Sequence, residues 1–266
     1  MLSGLIVYSE IDRDKNTWFI ETCKERLFSH GVVLFYRDED KALNFVKENH
    51  VDFVIYRARN YKLVEKFESL GIRCFNNSTT NKVANNKYLT YQFLEGLNIP
   101  CLKSNLSCDK LRYPFIMKSV DGHGGNEVFL INEKSDIDRY QLSSKKYIFQ
   151  EFYENEGDVR LYVLNRKVIG AVLRKNKEDF RSNYSLGGKV SSVRPSKEIK
   201  DIAIKIADSL DADYIGVDFL KVNGQWLVNE IEDPVGARML YKACGIDAVN
   251  LFSDYIFYTP KRKSRL

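Results

Sequence analysis

The chain has 266 residues, of which 44% are hydrophobic and 29% charged, with a formal net charge of +5. That length supports a large core shared among one to three lobes. The composition is ordinary globular, without repeat or low-complexity tract, and the charge is too modest, and the motifs too unlike nucleic-acid modules, for a DNA or RNA partner. No apolar run reaches membrane-spanning length. The opening MLSGLIVYSE lacks the basic-then-apolar order of a signal peptide. The five cysteines, Cys23, Cys74, Cys101, Cys108 and Cys244, are scattered, odd in number and without a C-x-x-C pair. Reduced thiols in a cytoplasmic protein, with no membrane partner, are therefore expected. The basic tail Lys261 to Leu266 reads as a solvated end.

The N-terminal part alternates strand and helix. Leu5 to Tyr8 is a short apolar strand, Thr17 to Ser29 a helix, and Val32 to Tyr36 a strand. Asp38 to Glu48 follows as a helix, Phe53 to Tyr56 as a strand, Tyr61 to Leu70 as a helix and Ile72 to Phe75 as a strand. That order predicts a small parallel sheet flanked by helices. No G-x-G-x-x-G follows the first strand, so dinucleotide binding is not expected. The polar stretch Asn76 to Asn86 reads as a boundary into one helix from about Lys82 to Leu97, which carries Lys87. On its own, Lys87 reads as a solvated helix lysine.

Pro114 to Val120 sets Lys118 inside an apolar strand, where a lysine requires an anionic partner, a phosphate being one candidate. The glycine-rich run Asp121 to Asn126 follows, containing Gly122, His123, Gly124 and Gly125, and then the strand Glu127 to Ile131. Glycines let backbone N–H groups close over phosphates, although the order strand, loop, strand differs from a Walker A motif. His123 reads as a loop residue, since no nucleophile motif accompanies it. Tyr147 to Tyr153 is a strand containing Gln150, Glu151 and Phe152. Asp158 and Arg160 precede the strands Leu161 to Leu164 and Val168 to Arg174. Arg160 and Arg174 sit where forked binding of an anion is available. The loop from Phe180 carries Arg181, Ser182 and Asn183, then Gly187 and Gly188. Ser196 caps a helix whose apolar positions, Ile199 to Leu210, have core spacing. Two further helices, Gly236 to Cys244 and Ala248 to Tyr258, close the chain.

Tyr214 to Arg238 holds the most informative pattern. Two apolar runs flank Asn223-Gly224, a hairpin signal, and within them stand Asp218, Glu230 and Glu232. Carboxylates in apolar strands are costly unless paired or metal-bound, and an all-oxygen set suits Mg²⁺ or Mn²⁺. Register decides whether they meet. A tight two-residue turn pairs Val222 with Gln225 and sets Asp218 opposite Asn229, leaving Glu230 on the other face. A loop one residue longer, or a bulge, sets Asp218 opposite Glu230. A metal site therefore requires the longer connection; otherwise this is an edge hairpin with solvated acids.

Lys118, the glycine loop, QEF, DVR, FRSN followed by GG, and the carboxylate hairpin together resemble the ATP-grasp superfamily, and within it the RimK-type glutamate ligases. The resemblance covers about Asn76 to Tyr258. It implies an α/β (α+β) ATP-grasp fold: a small parallel αβ domain over 1–80, then an ATP-grasp domain over 81–266. That domain divides into a central lobe, about 98–152, and a C-terminal lobe, about 153–266, that sandwich the nucleotide.

The resemblance further implies that Lys87 and Lys118 contact ATP phosphates under the loop Gly122, Gly124, Gly125 and Asn126. Gln150, Glu151 and Phe152 would hold adenine, Asp158 would lie near the ribose, and Arg181, Ser182 and Asn183 would border the nucleotide and reacting groups. Asp218, Glu230 and Glu232 would hold two Mg²⁺ ions, with Mn²⁺ as an alternative. Arg160, Arg174, Arg181 and Arg238 would be the catalytic contacts to substrate carboxylate or acyl phosphate. Two departures stand out: Glu232 occupies a position that is usually Asn, and Pro234-Val235-Gly236 replaces a Pro-Gly pair. The implied reaction joins a carboxylate of a small molecule, peptide or protein to an amino acid, glutamate favoured, through an acyl phosphate. A kinase-like enzyme, or a nucleotide-binding module without activity, remains the alternative, and a homo-oligomer stays open.

Overall fold

The computed structural model describes residues 2–125, 127–140, 146–155, 157–175 and 189–259. The first sheet is built from β1 (Leu2–Tyr8), β2 (Val32–Asp38), β3 (Phe53–Tyr56) and β4 (Arg73–Phe75), all parallel, in the order β2-β1-β3-β4. Its helices are α1 (Glu10–Arg13), α2 (Thr17–Ser29), α3 (Glu39–Glu48) and α4 (Tyr61–Ser69). Leu5, Ile6 and Val7 are buried on both faces of the sheet, as a strand covered by helices on both sides requires. Ile6 packs with Phe19, Cys23 and Leu27 of α2, while Leu5 and Val7 pack with Ala42, Val64 and Phe67 of α3 and α4.

The single helix expected from Lys82 to Leu97 is two: α5 (Ser78–Ala84) and α6 (Lys87–Gly96). The asparagines divide it. Asn86 caps α6 by accepting from the Leu89 amide at 3.0 Å, and the Asn85 side chain donates to the Asp233 carbonyl at 2.8 Å. Asparagine competes with helix continuation in this way, and Lys87 consequently sits at a helix start.

The second sheet combines β5 (Ser104–Asn105), β6 (Phe115–Ser119), β7 (Val128–Ile131) and β8 (Tyr147–Glu151) in the order β5-β8-β6-β7, with α7 (Lys134–Tyr140) alongside β7. The third is an antiparallel sheet, β11-β10-β9-β12-β13, made of β9 (Asp158–Leu164), β10 (Lys167–Lys175), β11 (Lys189–Ser192), β12 (Tyr214–Val222) and β13 (Gln225–Glu232), with α8 (Lys197–Ser209) preceding β12. Val159, Leu161, Val217 and Phe219 face Ile199, Ala203 and Ile206 of α8. The opposite face is split. At one end Tyr162, Leu164, Val172 and Tyr214 join an apolar core with α9 (Arg238–Cys244), α10 (Ala248–Tyr258) and the first sheet. At the other end Asp158, Arg160, Arg174 and Asp218 are buried.

The C-terminal helix α10 lies against α2, far from it in sequence, with the Arg26 fork closing on Asp254 at 2.6 and 2.7 Å. No described helix is long and apolar enough to cross a membrane, and the five cysteines are unbonded.

Asn76, just after β4, ties the first sheet to the third. Its Nδ2 donates to the Tyr214 carbonyl and to Asp233, both at 2.8 Å, and its Oδ1 accepts from the Asp213 and Tyr214 amides at 2.6 and 2.9 Å. Every hydrogen bond an amide side chain can make is filled. Asn76→Ala strands these buried groups and is expected to cost about 3 kcal/mol or more. Urea unfolding should show a lower midpoint at unchanged slope.

Candidate active site

The site begins at the hairpin. Asn223 and Gly224 have positive φ, 49° and 83°, and Val222 pairs with Gln225. The connection is therefore the tight two-residue turn, whose twist suits antiparallel strands, and not the longer loop expected of a metal site. A bulge makes the correction instead. Phe219 pairs with Val228 but Asp218 pairs with Glu230, so Asn229 is the extra residue. Downstream of the bulge the faces exchange, and Asp218, Glu230 and Glu232 bring carboxylate oxygens within 4.8 Å of one another.

Neighbouring strands add the counter-charges. Arg160 pairs with Asp218 across β9 and β12, and Arg174 pairs with Asp158 across β10 and β9. Arg160 Nε and Nη2 donate to both oxygens of Asp218 at 2.6 and 2.7 Å, and Nη2 reaches Glu232 at 2.7 Å. Arg174 forks onto Asp158 and also donates to Asp218. Asp218 is 1% exposed and Arg174 3%. Burial raises the Asp218 carboxyl, but the charges of Arg160 and Arg174 outweigh it and hold the group well below the ordinary carboxylate range. Asp158, also buried and facing the charge of Asp218, has one guanidinium and is pushed up. The expected substrate contacts of Arg160 and Arg174 are thus not the contacts they make here: both guanidiniums are held by acids of the protein.

Three guanidinium bonds occupy most of the roughly four lone-pair sites on Asp218, while the Glu230 and Glu232 side chains keep 29% and 25% exposure. The donors are all oxygen, two of the three carboxylates are partly open, and the group fits Mg²⁺ or Mn²⁺.

Above this layer, between the second and third sheets, lies a cleft whose walls include Lys87, Lys118, Asp158 and Glu230. Lys118, on β6, enters it 9% exposed and donates to Asn229 Oδ1 at 2.9 Å. Burial pushes its pKa down to about 8, with the charge of Lys87 adding to the effect and Glu230 opposing it. Lys87 Nζ lies 3.2 Å from Glu230 and donates to the Gly122 carbonyl, so the lysine joins the glycine loop to the acids. Gly124 and Gly125 have φ of 67° and 78°, which residues with a Cβ rarely adopt. Gly122, His123 and Gly125 line the cleft.

At its far end, Leu102, Ile116, Val128 and Leu220 form an apolar slot beside Gln150, Glu151 and Phe152. Gln150 Nε2 donates to Ser104 at 2.7 Å, and its buried Oε1 has no partner among the described residues. Asp158 and Asn229 also line the cleft. Arg238 is exposed and donates to the Lys15 carbonyl at 2.5 Å. Arg181, Ser182, Asn183 and Asn126 lie outside the described residues. Asn229 escaped the sequence reading because nothing in the pattern distinguishes a bulged residue from its neighbours; the pairing of acids across the hairpin was the available signal.

A family model described as the RimK-like ATP-grasp domain matches residues 84–256. An uncharacterized protein of Mycoplasma pneumoniae is 31% identical over 252 residues, 91% of this chain and 87% of that protein. The beta-citrylglutamate synthase B of Danio rerio is 30% identical over 223 residues, 76% of this chain, and the match spans about half of that longer relative, 55%. Among solved structures, the ATP-grasp ligase PsnB complexed with minimal precursor superposes with a TM-score of 0.71 at 18% identity, covering 96% of this chain and 98% of that one; at that identity the likeness concerns the fold.

The two acids at the bulge differ in what surrounds them, and stability separates them. Asp218→Asn leaves two buried guanidiniums short of their anion and should cost about 3–5 kcal/mol. Glu230→Gln, partly exposed, should cost under about 1 kcal/mol. Chemical denaturation of both variants measures the contrast.

Proposed function

The chain belongs to the RimK-like ATP-grasp family, and from that premise we propose that it is an ATP-dependent ligase that joins a carboxylate to an amine. The reading is carried by one observation: two lysines from other elements, a glycine loop and Glu230 line one cleft, and Glu230 belongs to a cluster of three carboxylates on the bulged hairpin. No Ser/His or Cys/His pair stands among the described residues of the cleft, and the work is positioning and electrostatics.

On this reading the apolar slot takes adenine. Gln150 Oε1, otherwise an orphan acceptor, receives the exocyclic amine, Glu151 and Phe152 flank the ring, and Asp158 lies toward the ribose. Lys87 and Lys118 hold phosphate oxygens, and the loop Gly122 to Gly125 covers them and keeps water from the reactive acyl group. Charge supports an added metal. Asp158, Asp218, Glu230 and Glu232 are equalled in number by Arg160, Arg174, Lys87 and Lys118, so a nucleotide bringing about four further negative charges requires cations from solution. Two Mg²⁺ ions held by Asp218, Glu230 and Glu232, or Mn²⁺ in their place, would neutralise the triphosphate and polarise the γ-phosphoryl group.

A carboxylate oxygen of one substrate attacks the γ-phosphorus as its bond to ADP breaks. The ammonium of the second substrate first gives up a proton to solvent; the neutral amine then attacks the acyl carbon, the C–N bond forms, phosphate leaves with the acyl C–O electrons, and the nitrogen's second proton is lost to solvent. Arg160 and Arg174 act at one remove, keeping Asp218 ionised and aimed. The second substrate is an amino acid, glutamate first among candidates, and the first a small molecule, peptide or protein carboxylate. Residues 1–80 form the domain that precedes the ATP-grasp core, and residues 81–266 the core itself.

Two experiments test this. ADP release with hydroxylamine in place of the amine, screened over carboxylates, should yield a hydroxamate and should vanish in Glu230→Gln. A stable phosphoester would instead identify a kinase, and neither product a binding module. Separately, ATP affinity should fall as pH rises through about 8, because Lys118 of the empty protein loses its proton there while bound phosphate favours the charged form. Lys118→Met should weaken binding on the order of 10- to 100-fold and flatten that pH dependence.

A further inference from the structure

The first sheet reverses direction between β1 and β3: the chain passes from β1 outward to β2 on one side, then returns to β3 and continues to β4 on the other. In open parallel sheets, ligands bind in the crevice outside the carboxyl ends of the strands at such a point. The residues that leave those two strand ends here carry an acid and a base. Arg59, three residues past β3, donates through Nη1 to Asp12 Oδ2 at 2.8 Å, and Ser9, just past β1, donates to the same oxygen at 3.1 Å.

This pair is built unlike the forks beneath the cleft. Arg174 and Asp158 are sealed, with side chains 4% and 8% exposed, and joined through two nitrogens. Arg59 and Asp12 keep 27% and 26% exposure, and Nη1 is the guanidinium atom of Arg59 that bonds among the described residues. An acid and a base therefore stand side by side, partly open, at the ligand position of the sheet.

The crevice adjoins the cleft. Arg57, between β3 and Arg59, donates to the Val235 carbonyl at 2.7 Å, three residues beyond Glu232. His123 of the glycine loop feels the charges of Arg59, Lys87 and Asp12 together, and Lys87 is 3.2 Å from Glu230. A ligand on Arg59 and Asp12 thus has His123 of the glycine loop as a neighbour. Asp12 is anionic at neutral pH: burial opposes its charge, but the hydrogen bond and charge of Arg59 outweigh burial and hold its carboxyl below the ordinary range.

We propose that Asp12 and Arg59 form the subsite for the amine substrate, an α-amino acid whose carboxylate takes Arg59 and whose ammonium takes Asp12. A zwitterion carries both charges on one carbon, so it inserts into the pair and exchanges one charge-assisted contact for two. A dicarboxylate without an amine would face the charge of Asp12, and a simple amine would leave Arg59 facing no anion. The assignment rests on the ligase reading, and it names residues of the first sheet as the source of selectivity.

The test is calorimetric titration of the full chain, saturated with Mg²⁺ and AMP-PNP, with each of the twenty common L-amino acids. For any that binds, the carboxamide and N-acetyl derivatives follow. At least one amino acid should bind, and each derivative, lacking one charge, should bind on the order of 10- to 100-fold more weakly. Arg59→Gln should abolish discrimination against the carboxamide, and Asp12→Asn discrimination against the N-acetyl form, while both variants retain AMP-PNP affinity as evidence of folding. Amino-acid binding with both discriminations intact in the variants would overturn the subsite alone, as would nucleotide binding with no amino acid bound. Failure of the wild-type chain to bind AMP-PNP would overturn the ligase reading and the subsite with it.

Discussion

Asp218 carries a full negative charge at 1% exposure because two guanidiniums reach it from two other strands. An isolated carboxylate at that depth would take up a proton instead. The clamp requires β9, β10 and β12 to be neighbours in the register observed, which places Arg160 beside Asp218 and Arg174 beside Asp158. It also accounts for Glu232. Arg160 Nη2 meets this acid at 2.7 Å, so its charge is balanced within the protein. Asp218 is thereby ionised and oriented before any ligand arrives, which is what preorganised electrostatics needs.

A single bulged residue brings Glu230 to the wall of the cleft beside Asp218. With Asn223-Gly224 closing a tight turn, an unbroken ladder would have sent Glu230 and Glu232 to the α8 side. Asn229, inserted at the bulge, turns them back. The same residue does more: its Oδ1 accepts from Lys118 and its carbonyl accepts from the Tyr91 hydroxyl at 2.5 Å. Lys118, β13 and α6 are therefore joined through one position, and the buried lysine keeps a hydrogen-bond partner.

Much of this was legible in the sequence, for identifiable reasons. The helices Thr17–Ser29 and Ala248–Tyr258 and the strand Phe53–Tyr56 follow from clean apolar periodicity and clear punctuation. The three acids stood out because carboxylates in apolar strands demand an explanation. What escaped depended on pairing in three dimensions. The break at Asn85-Asn86 is made by side chains that cap one helix and bind the Asp233 backbone. Arg160 and Arg174 looked like anion-binding residues, but their anions are the protein's own, on strands whose adjacency no spacing in the chain reveals. The crevice with Asp12 and Arg59 appears only once the strand order is known. The association of α10 with α2 likewise joins the two ends of the chain by shape, through residues that read as ordinary core.

The account stands on Asp218, Glu230 and Glu232 gripping the divalent ions that carry a nucleotide's polyphosphate. The most direct test is a crystal structure of the chain with AMP-PNP and Mn²⁺, with data collected to locate manganese by its anomalous scattering. The account predicts manganese peaks between the three carboxylates and the β- and γ-phosphates, at oxygen distances of about 2.1 Å. Bound nucleotide in the cleft with no manganese at those carboxylates would contradict it.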